Sequence, residues 1–371
     1  MYMNELEDTR KKIGGLDAEM ARIFVERMKI VEDVAEYKKR NGLPVHDSVR
    51  EATVLERNLQ LVDDPVLREY YTPFIKGMMG LASAYQERLL EGMKIAYCGV
   101  PGAFAHIAAR RLHPTARLIP YQDFESAYKA CENGEVDASI LPLENSFAGE
   151  VGSVMDMAFS GSLFVNKMID LEVCQNLLGI PGATKDGVRK VVSHQQALAQ
   201  CSRYIRERGL EVIEVSNTAV AAQRVAELAD TSVCAIASAE AAALYGLEVL
   251  ERHVNSSSGN TTRFATFSRS RNMPTGKGHM DEHFILVFTV LNEAGSLAKT
   301  LNIIGSHGFN MCNLHSRPMK ELMWNYYFFV ELEGNVNTPD GEDLLLQLGT
   351  VCEKLKLLGT YRRDTFLEEG E

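Results

Sequence analysis

The stretch 93–108, MKIAYCGVPGAFAHIA, is where the character of the chain changes. Residues 94–97 read as a short strand, Gly99-Val100-Pro101-Gly102 as a turn, and the residues after it as a helix. Upstream, over about 4–92, the pattern is all helix, with Ile13, Leu16, Met20, Ile23, Phe24, Val31 and Val34 at helical spacing. Asn41-Gly42-Leu43-Pro44 breaks this first helix. A second opens at Asp47 or Ser48, where Ser48 and Glu51 fit a capping box, and a third runs over roughly 73–90. Downstream, strand and helix alternate to about Ser268, with strands expected over 138–142, 188–193, 212–215, 233–237 and 263–267. That alternation predicts a mainly parallel α/β sheet in two lobes. The stretch 272–278, NMPTGKG, reads as a linker. Strands over 284–291, 310–315, 326–332 and 360–367, with helices after the first and third, predict a small ferredoxin-like α+β domain. The chain therefore reads as multidomain: all-α over 1–92, two-lobed α/β over 93–272 and α+β over 279–371.

The formal charge of −11 over 371 residues argues against nucleic acid as a partner. An acidic protein that binds an anion must cluster its cations locally. The seven cysteines are scattered without a C-x-x-C pair, and read as reduced, mostly buried thiols. No metal-ligand spacing is present, so no metal or cofactor is expected. The polar start MYMNELEDTRKK does not read as a signal peptide. The longest strongly apolar run, 284–291, is far too short to span a bilayer, so a cytoplasmic protein without a membrane partner is expected.

In the helical block, cations fall where a helix should bury apolar groups. Arg27 and Lys38, eleven residues apart, are nearly eclipsed at about 100° per residue and share a stripe with Ile23, Val31 and Val34. Gln86 falls on the stripe of Met79, Ala82 and Leu89. One such cation would read as a snorkelling side chain on a solvated face. Several together call for an anionic partner, since burying unpaired charge is expensive. With Arg10-x-x-Ile13-x-x-Leu16-Asp17, Glu26-Arg27, Lys38, Pro44-Val45-His46-Asp47, Arg50-Glu51 and Gln86, the block resembles the all-helical chorismate mutases over its whole length. The resemblance implies that Arg10, Arg27 and Arg50 clamp the carboxylates of chorismate. Lys38 and Gln86 would donate to its ether oxygen, and Asp47 and Glu51 would bind its hydroxyl. Arg10 lies roughly 100° from Arg27 on an ideal helix. In the family an intertwined dimer solves this, because the first arginine serves the partner's site. The family's serine four residues before the final Gln is Ala82 here, with Ser83 beside it.

In the second block, GVPGAF lacks the G-x-G-x-x-G fingerprint, which counts against a nicotinamide enzyme. Polar residues recur instead at strand ends, where α/β sheets bind ligands, although Ser146 or Ser193 could serve only as helix caps. The motifs AYCGVPGAF, LPLENSFAGEV, VSHQQALAQC, AIASAEAAALYGL and NTTRF resemble prephenate dehydratase over essentially the whole block. That resemblance implies two lobes closing on the ligand, as in periplasmic binding proteins. It assigns catalysis chiefly to Thr262, with Glu144, Asn145, Ser146, Ser193, Gln196, Gln200 and Arg263 lining the site. The family's G-T-F-S reads Gly102-Ala103-Phe104-Ala105 and its S-H-P-Q reads Ser193-His194-Gln195-Gln196.

The third block resembles an ACT domain, through Ala294-Gly295-Ser296-Leu297 and Ser316-Arg317-Pro318, with His315 where the family has Glu. Such domains bind free amino acids between paired copies; the plainer alternative is a dimeriser that binds nothing. The implied effector is phenylalanine, the implied substrates are chorismate and prephenate, and the implied assembly is a homo-oligomer, dimer or tetramer. The leading reading is a bifunctional enzyme without a cofactor. A dehydratase with a decayed mutase and a non-catalytic aromatic-amino-acid sensor stay open beside it.

Overall fold

The computed structural model describes residues 2–256, 259–272, 282–319 and 325–362. It divides into two compact units, Met1–Met93 and Lys94–Glu371. The first holds three helices, α1 (Tyr2–Asn41), α2 (Ser48–Leu59) and α3 (Pro65–Glu91). Basic Lys38, Lys39 and Arg40 complement the dipole of the last turn of α1, and Gly42, at φ +63°, ends it. Asp47, not Ser48, caps α2, its carboxylate accepting from the Arg50 N–H. α3 begins at Pro65 rather than near Pro73. Asp64 accepts from the N–H groups of Val66 and Leu67, and Pro65 occupies the first turn, where its missing N–H costs nothing. Pro73, the expected start, lies inside the helix.

The second unit opens with β1 (Lys94–Cys98), α4 (Phe104–Leu112), β2 (Arg117–Tyr121), α5 (Phe124–Glu132), β3 (Ala138–Asn145), β4 (Gly149–Glu150), α6 (Gly152–Ser160) and β5 (Phe164–Glu172). The chain then crosses into β6 (Asn176–Gly179), β7 (Lys190–Ser193), α7 (Gln195–Gln200), α8 (Ser202–Arg208), β8 (Glu211–Glu214), α9 (Thr218–Leu228), β9 (Val233–Ala237), α10 (Ala239–Tyr245) and β10 (Glu248–Glu251). It returns with β11 (Thr261–Ser268) and continues into β12 (Glu282–Thr289), α11 (Ser296–Ser306), β13 (Asn310–Pro318), β14 (Tyr326–Glu333), α12 (Pro339–Leu348) and β15 (Lys354–Arg362).

The smaller sheet has the order β10-β6-β9-β7-β8 and buries both faces. Leu178, Val192, Ala235 and Ala237 pack against α9 and α10, while Leu177, Val191, Cys234 and Ile236 pack against α7 and α8. Burial on both sides explains the unbroken apolar run VCAIA of β9. The larger sheet runs β13-β14-β12-β15-β5-β11-β3-β1-β2, with β4 on β3. The sheets are mixed, not mainly parallel: β11 lies antiparallel between β3 and β5, and β6 is antiparallel to β9 and β10. The antiparallel strands are those next to the lobe crossings, where the chain reverses direction.

The last six elements run β-α-β-β-α-β, and their four strands lie antiparallel in the order second, third, first, fourth, the expected ferredoxin-like arrangement. One face of this layer packs on its two helices through Phe284, Leu286, Phe288, Val330 and Leu332. The other joins the core of the first lobe through Ile285, Val287, Tyr327 and Phe329. β15 touches β5 at Gly359, where any side chain would collide with the Val165 backbone. Residues 273–278 of the expected linker and 363–367 of the expected last strand lie outside the described residues. No helix among the described residues is long and apolar enough to cross a membrane.

Candidate active sites

A cavity of about 590 Å³ lies between the two lobes. Val173, Gln175 and Asn260, from the two crossings, form part of its wall. Several helices begin on it, among them α4, represented in the lining by Ala103 to Ala105, α6 by Val151 and Gly152, α7 by His194 and Gln196, and α9 by Asn217 and Thr218. α4 and α6 have no side-chain cap, so their first-turn N–H groups remain available to a ligand. Helix starts favour anions. They matter here because, among the described residues, no Lys or Arg lines the cavity; its ionisable side chains are Glu150 and His194. His194 caps α7 with Nδ1, which accepts from the Gln196 N–H, leaving Nε2 to face a ligand as a donor. Phe104, Phe124 and Phe264 supply the apolar wall.

Thr262 lies on this wall within a fixed polar network. Asn145 Oδ1 accepts from the N–H groups of Phe147 (3.1 Å) and Ala148 (2.9 Å), which fixes the amide. Its Nδ2 then donates to Thr262 Oγ1 (2.9 Å) and Asn260 Oδ1 (2.8 Å). A hydroxyl that already accepts keeps its proton for something else. Gln175 Oε1, Gln200 Oε1 and Asn260 Nδ2 are buried without a protein partner, and all three residues line the cavity. Buried polar atoms are ordinarily paired, so these three mark places for ligand atoms. Gln196 also lines the cavity.

Four expected lining residues do not. Arg263 lies one position along β11 from Thr262, so alternation turns it to the opposite face. There it makes a two-pronged bond to Asp170 (2.7 and 3.0 Å) and reaches Glu331 (3.0 Å). The Asp170 bond holds the guanidinium pKa above its ordinary value against the opposing effect of burial. Glu144 pairs in register with Arg263, shares that outer face and accepts from Asn313 (3.3 Å). Ser193 is fully buried, donating to the Ile236 carbonyl (2.6 Å). Ser146 accepts from the Thr261 N–H (2.9 Å) and donates to the Gly259 carbonyl (3.0 Å), bracing a crossing. His194 and Asn260, polar residues at strand ends, line the cavity, and so do Gln175 and Asn217, which were not expected. A polar pair, Gln175-Asn176, interrupting the apolar VCQNLL run was the available signal.

The C-terminal layer reaches this cavity through one edge strand. His315 and Arg317 of β13 both pair with Glu150, the Arg317 contact at 3.2 Å. Arg317 also meets Asp156 (3.3 Å), which accepts from Tyr327 (2.8 Å). A side chain at Gly152 would strike the Arg317 guanidinium. His315 and Arg317 thus point into the first lobe, whereas Ser316 and Pro318 are exposed on the strand's other face. His315, which stands where the ACT family has Glu, is thus paired with Glu150 of the first lobe. Gly295, at φ +86°, provides the left-handed turn before α11; Ala294 and Ser296 flank it, and Leu297 packs into the helix-side core. Thr289, the last residue of β12 before the chain leads to the Gly295 turn, and Arg317 both pair with Tyr327, so Arg317 lies at the end of the sheet from which that turn departs.

In the helical unit, α1 buries Val31 and Ala35, and α3 buries Ile75, Ala82 and Gln86. Arg27 and Lys38 bracket Val31 and Ala35 on one stripe. Arg27 Nη1 and Gln86 Oε1 are buried without a protein partner, Gln86 Nε2 donates to the Ala82 carbonyl (3.3 Å), and Lys38 Nζ donates to the Val45 carbonyl (2.6 Å). Three of the expected mutase residues therefore lie on the buried faces of α1 and α3. Glu51 sits 3.5 Å from His46 and lines a separate cleft of about 360 Å³ with Ser83. Ser83 thus faces α2, one position away from the buried face that carries Ala82. Asp47 is engaged as a cap, and Arg10 and Arg50 are exposed. So are Leu16 (64%), Ile30 (63%), Ile13 (54%) and Met20 (53%), an apolar stripe too long to be incidental.

The prephenate dehydratase family pattern matches residues 95–272, and that of chorismate mutase type II matches residues 9–87. A bifunctional chorismate mutase/prephenate dehydratase of Aquifex aeolicus is 32% identical over 97% of this chain and 98% of its own length. A solved structure titled as GqqA, a novel type of quorum quenching acylases, is 33% identical with a TM-score of 0.67, over 74% of this chain and 100% of that one. The prephenate dehydratase of Arthrobacter aurescens in complex with L-Phe is 25% identical with a TM-score of 0.66, over 73% of this chain and 90% of that one.

Proposed function

This chain belongs to the bifunctional chorismate mutase/prephenate dehydratase family, and from that premise we propose how its residues divide the work. The chain rearranges chorismate to prephenate and converts prephenate to phenylpyruvate, with loss of carbon dioxide and water. We assign the mutase to 1–92, the dehydratase to 93–272 and a regulatory ACT domain to 279–371, all in the cytoplasm.

In the dehydratase cavity, the two carboxylates of prephenate lie against the starts of α4, α6 and α9. The C–CO₂⁻ bond breaks, its electron pair enters the ring, and the ring hydroxyl departs from the opposite carbon as hydroxide, which takes a proton to become water. Thr262 gives its hydrogen bond to that departing oxygen. The observation that carries this role is the Asn145 amide on Thr262 Oγ1, which leaves the hydroxyl proton directed elsewhere. An acyl-transfer reading would need a nucleophile paired with a base, whereas Thr262 accepts from an amide.

In the mutase, Arg27, Lys38 and Gln86 form one half of each site. Arg10 is seventeen residues from Arg27, roughly 25 Å along α1, far beyond the length of chorismate. A second copy, packed on the exposed stripe of α1, brings its own Arg10 to the site, so the working unit is at least a homodimer. Phenylalanine, the ligand named for the Arthrobacter relative, acts as feedback inhibitor from the Gly295 turn of paired ACT layers.

The test supplies chorismate to the purified chain and follows its loss and the formation of phenylpyruvate separately, with and without phenylalanine. Both are expected, with the second step suppressed by phenylalanine. Conversion of supplied prephenate without consumption of chorismate would leave only the dehydratase. Ligand binding without either conversion would make the chain a sensor.

A further inference from the structure

We propose that His283, Cys312 and Glu333 form a binding site for a thiophilic divalent cation of the zinc class. The three residues come from β12, β13 and β14, so the sequence shows no ligand spacing. His283 and Glu333 face each other in register across β12 and β14. The register between β13 and β14 slips between Met311 and Asn313, and Cys312 is the extra residue of that bulge. A bulge re-aims a side chain. Here one donor atom from each residue lies within 4.8 Å of the other two. Zinc bonds imidazole nitrogen, thiolate and carboxylate at about 2.0–2.3 Å, which places tetrahedral donors roughly 3.5 Å apart.

The donor types select the metal. Thiolate and imidazole favour zinc, cobalt or cadmium over magnesium and calcium. One thiolate and one carboxylate balance a double positive charge, and three protein ligands leave a fourth position for water. The surroundings are those of an oriented ligand set. The His283 ring stacks on Tyr361 with centroids 5.6 Å apart, and Asn310 Nδ2 donates to Glu333 Oε2 at 2.8 Å. Cys312 is exposed, which leaves an entry path for the ion.

The site is joined to the dehydratase by a short chain of contacts. Tyr361 donates to Glu331, Glu331 accepts from Arg263, and Arg263 adjoins Thr262 on β11. Metal bound at His283 fixes the ring that packs on Tyr361. Its loading is therefore read in prephenate turnover as well as in binding.

The experiment uses the full chain, reduced and stripped with a chelator, then titrated with Co²⁺. The expected result is one tightly held cobalt per chain with thiolate-to-cobalt charge-transfer absorption, displaced by Zn²⁺ and not by Mg²⁺. Cys312→Ser should abolish that absorption and His283→Gln should weaken binding by at least about tenfold. Cys312 is exposed, so the serine variant keeps the fold, and its metal-free dehydratase activity should equal that of the parent. Absence of the charge-transfer band in the parent overturns the proposal. So does equal binding by both variants, which would indicate an adventitious ion only.

Discussion

The hydroxyl of Thr262 is held as an acceptor by Asn145, so its contribution to turnover rests on one hydrogen bond that strengthens as hydroxide leaves. Thr262→Val keeps the shape and removes that bond. It should lower kcat by about 10²-fold or more while KM stays within a few-fold, measured as phenylpyruvate formation from supplied prephenate. A raised KM at unchanged kcat would make Thr262 a ground-state contact only. In the mutase, Gln86 donates at every pH, whereas a carboxyl there donates only when protonated. Gln86→Glu should therefore shift mutase activity toward acid pH, and an unaltered pH–rate profile would remove Gln86 from the ether oxygen. Polar residues at strand ends pointed to Asn145 and Thr262 at the dehydratase cavity, and the family resemblance added Gln196 and Gln200. It misplaced Arg263, although period-two alternation alone sets neighbouring strand residues on opposite faces. Gln175 was harder to see: it sits at a lobe crossing, and its value as a ligand contact lies in an unpaired atom that only the assembled wall reveals.

At the scale of elements, β13 acts on the cavity through its neighbours. Arg317 places a positive charge beside Glu150, a carboxylate on the wall of a site for a dianion. Arg317→Met leaves Glu150 paired on β13 with His315 alone. The expected outcome is a several-fold rise in KM for prephenate and weaker inhibition by phenylalanine, read as phenylpyruvate formation from supplied prephenate. An unchanged KM would mean that Glu150 does not feel the substrate. α4 ends beside His113, whose burial lowers its pKa from 6.5 to about 4 as it meets Thr266 at 3.3 Å. The unfolded chain therefore binds this proton more readily than the folded one. The neutral ring's contribution is full above pH 6.5 and declines as pH falls toward 4. His113→Gln should flatten the pH dependence of thermal stability in that window, by about 2 kcal/mol once solvent screening is allowed for. Unequal element legibility has a physical cause. β9 and β12 read as strands because their apolar runs are continuous. β5 escaped because Val165, Met168 and Leu171 recur every third residue, with a bulge between Val165 and Lys167 spoiling period two.

For the whole molecule, the order of three blocks was legible because the hydrophobic period changes from helical to alternating at Met93 and the βαββαβ order begins anew near His283. How copies assemble was legible only as a resemblance, and the physical reason now lies in α1. A helix of forty residues is about 60 Å long, and among the described residues it buries only Val31 and Ala35 while Ile13, Leu16 and Met20 stand exposed. A single copy leaves that apolar stripe in water, at about 25 cal/mol for each Å² that a partner could cover. Arg10 stands on the same uncovered part of the helix, roughly 25 Å from Arg27, so one chain cannot bring both arginines to one chorismate. Arg10→Ala and Arg27→Ala should each abolish most mutase activity while supplied prephenate is still dehydrated. Mixed in equal amounts and allowed to exchange, the two variants form hybrids in half of all dimers. One of the two sites in each hybrid then combines an intact Arg10 from one chain with an intact Arg27 from the other. Mutase activity should recover to about a quarter of the parent level, the fraction that random pairing in a two-fold dimer gives. Exchange is established independently by co-purification of differently tagged chains. Exchange without recovery would mean that each site is built from a single chain, and the exposed stripe on α1 would then serve a partner other than a second mutase.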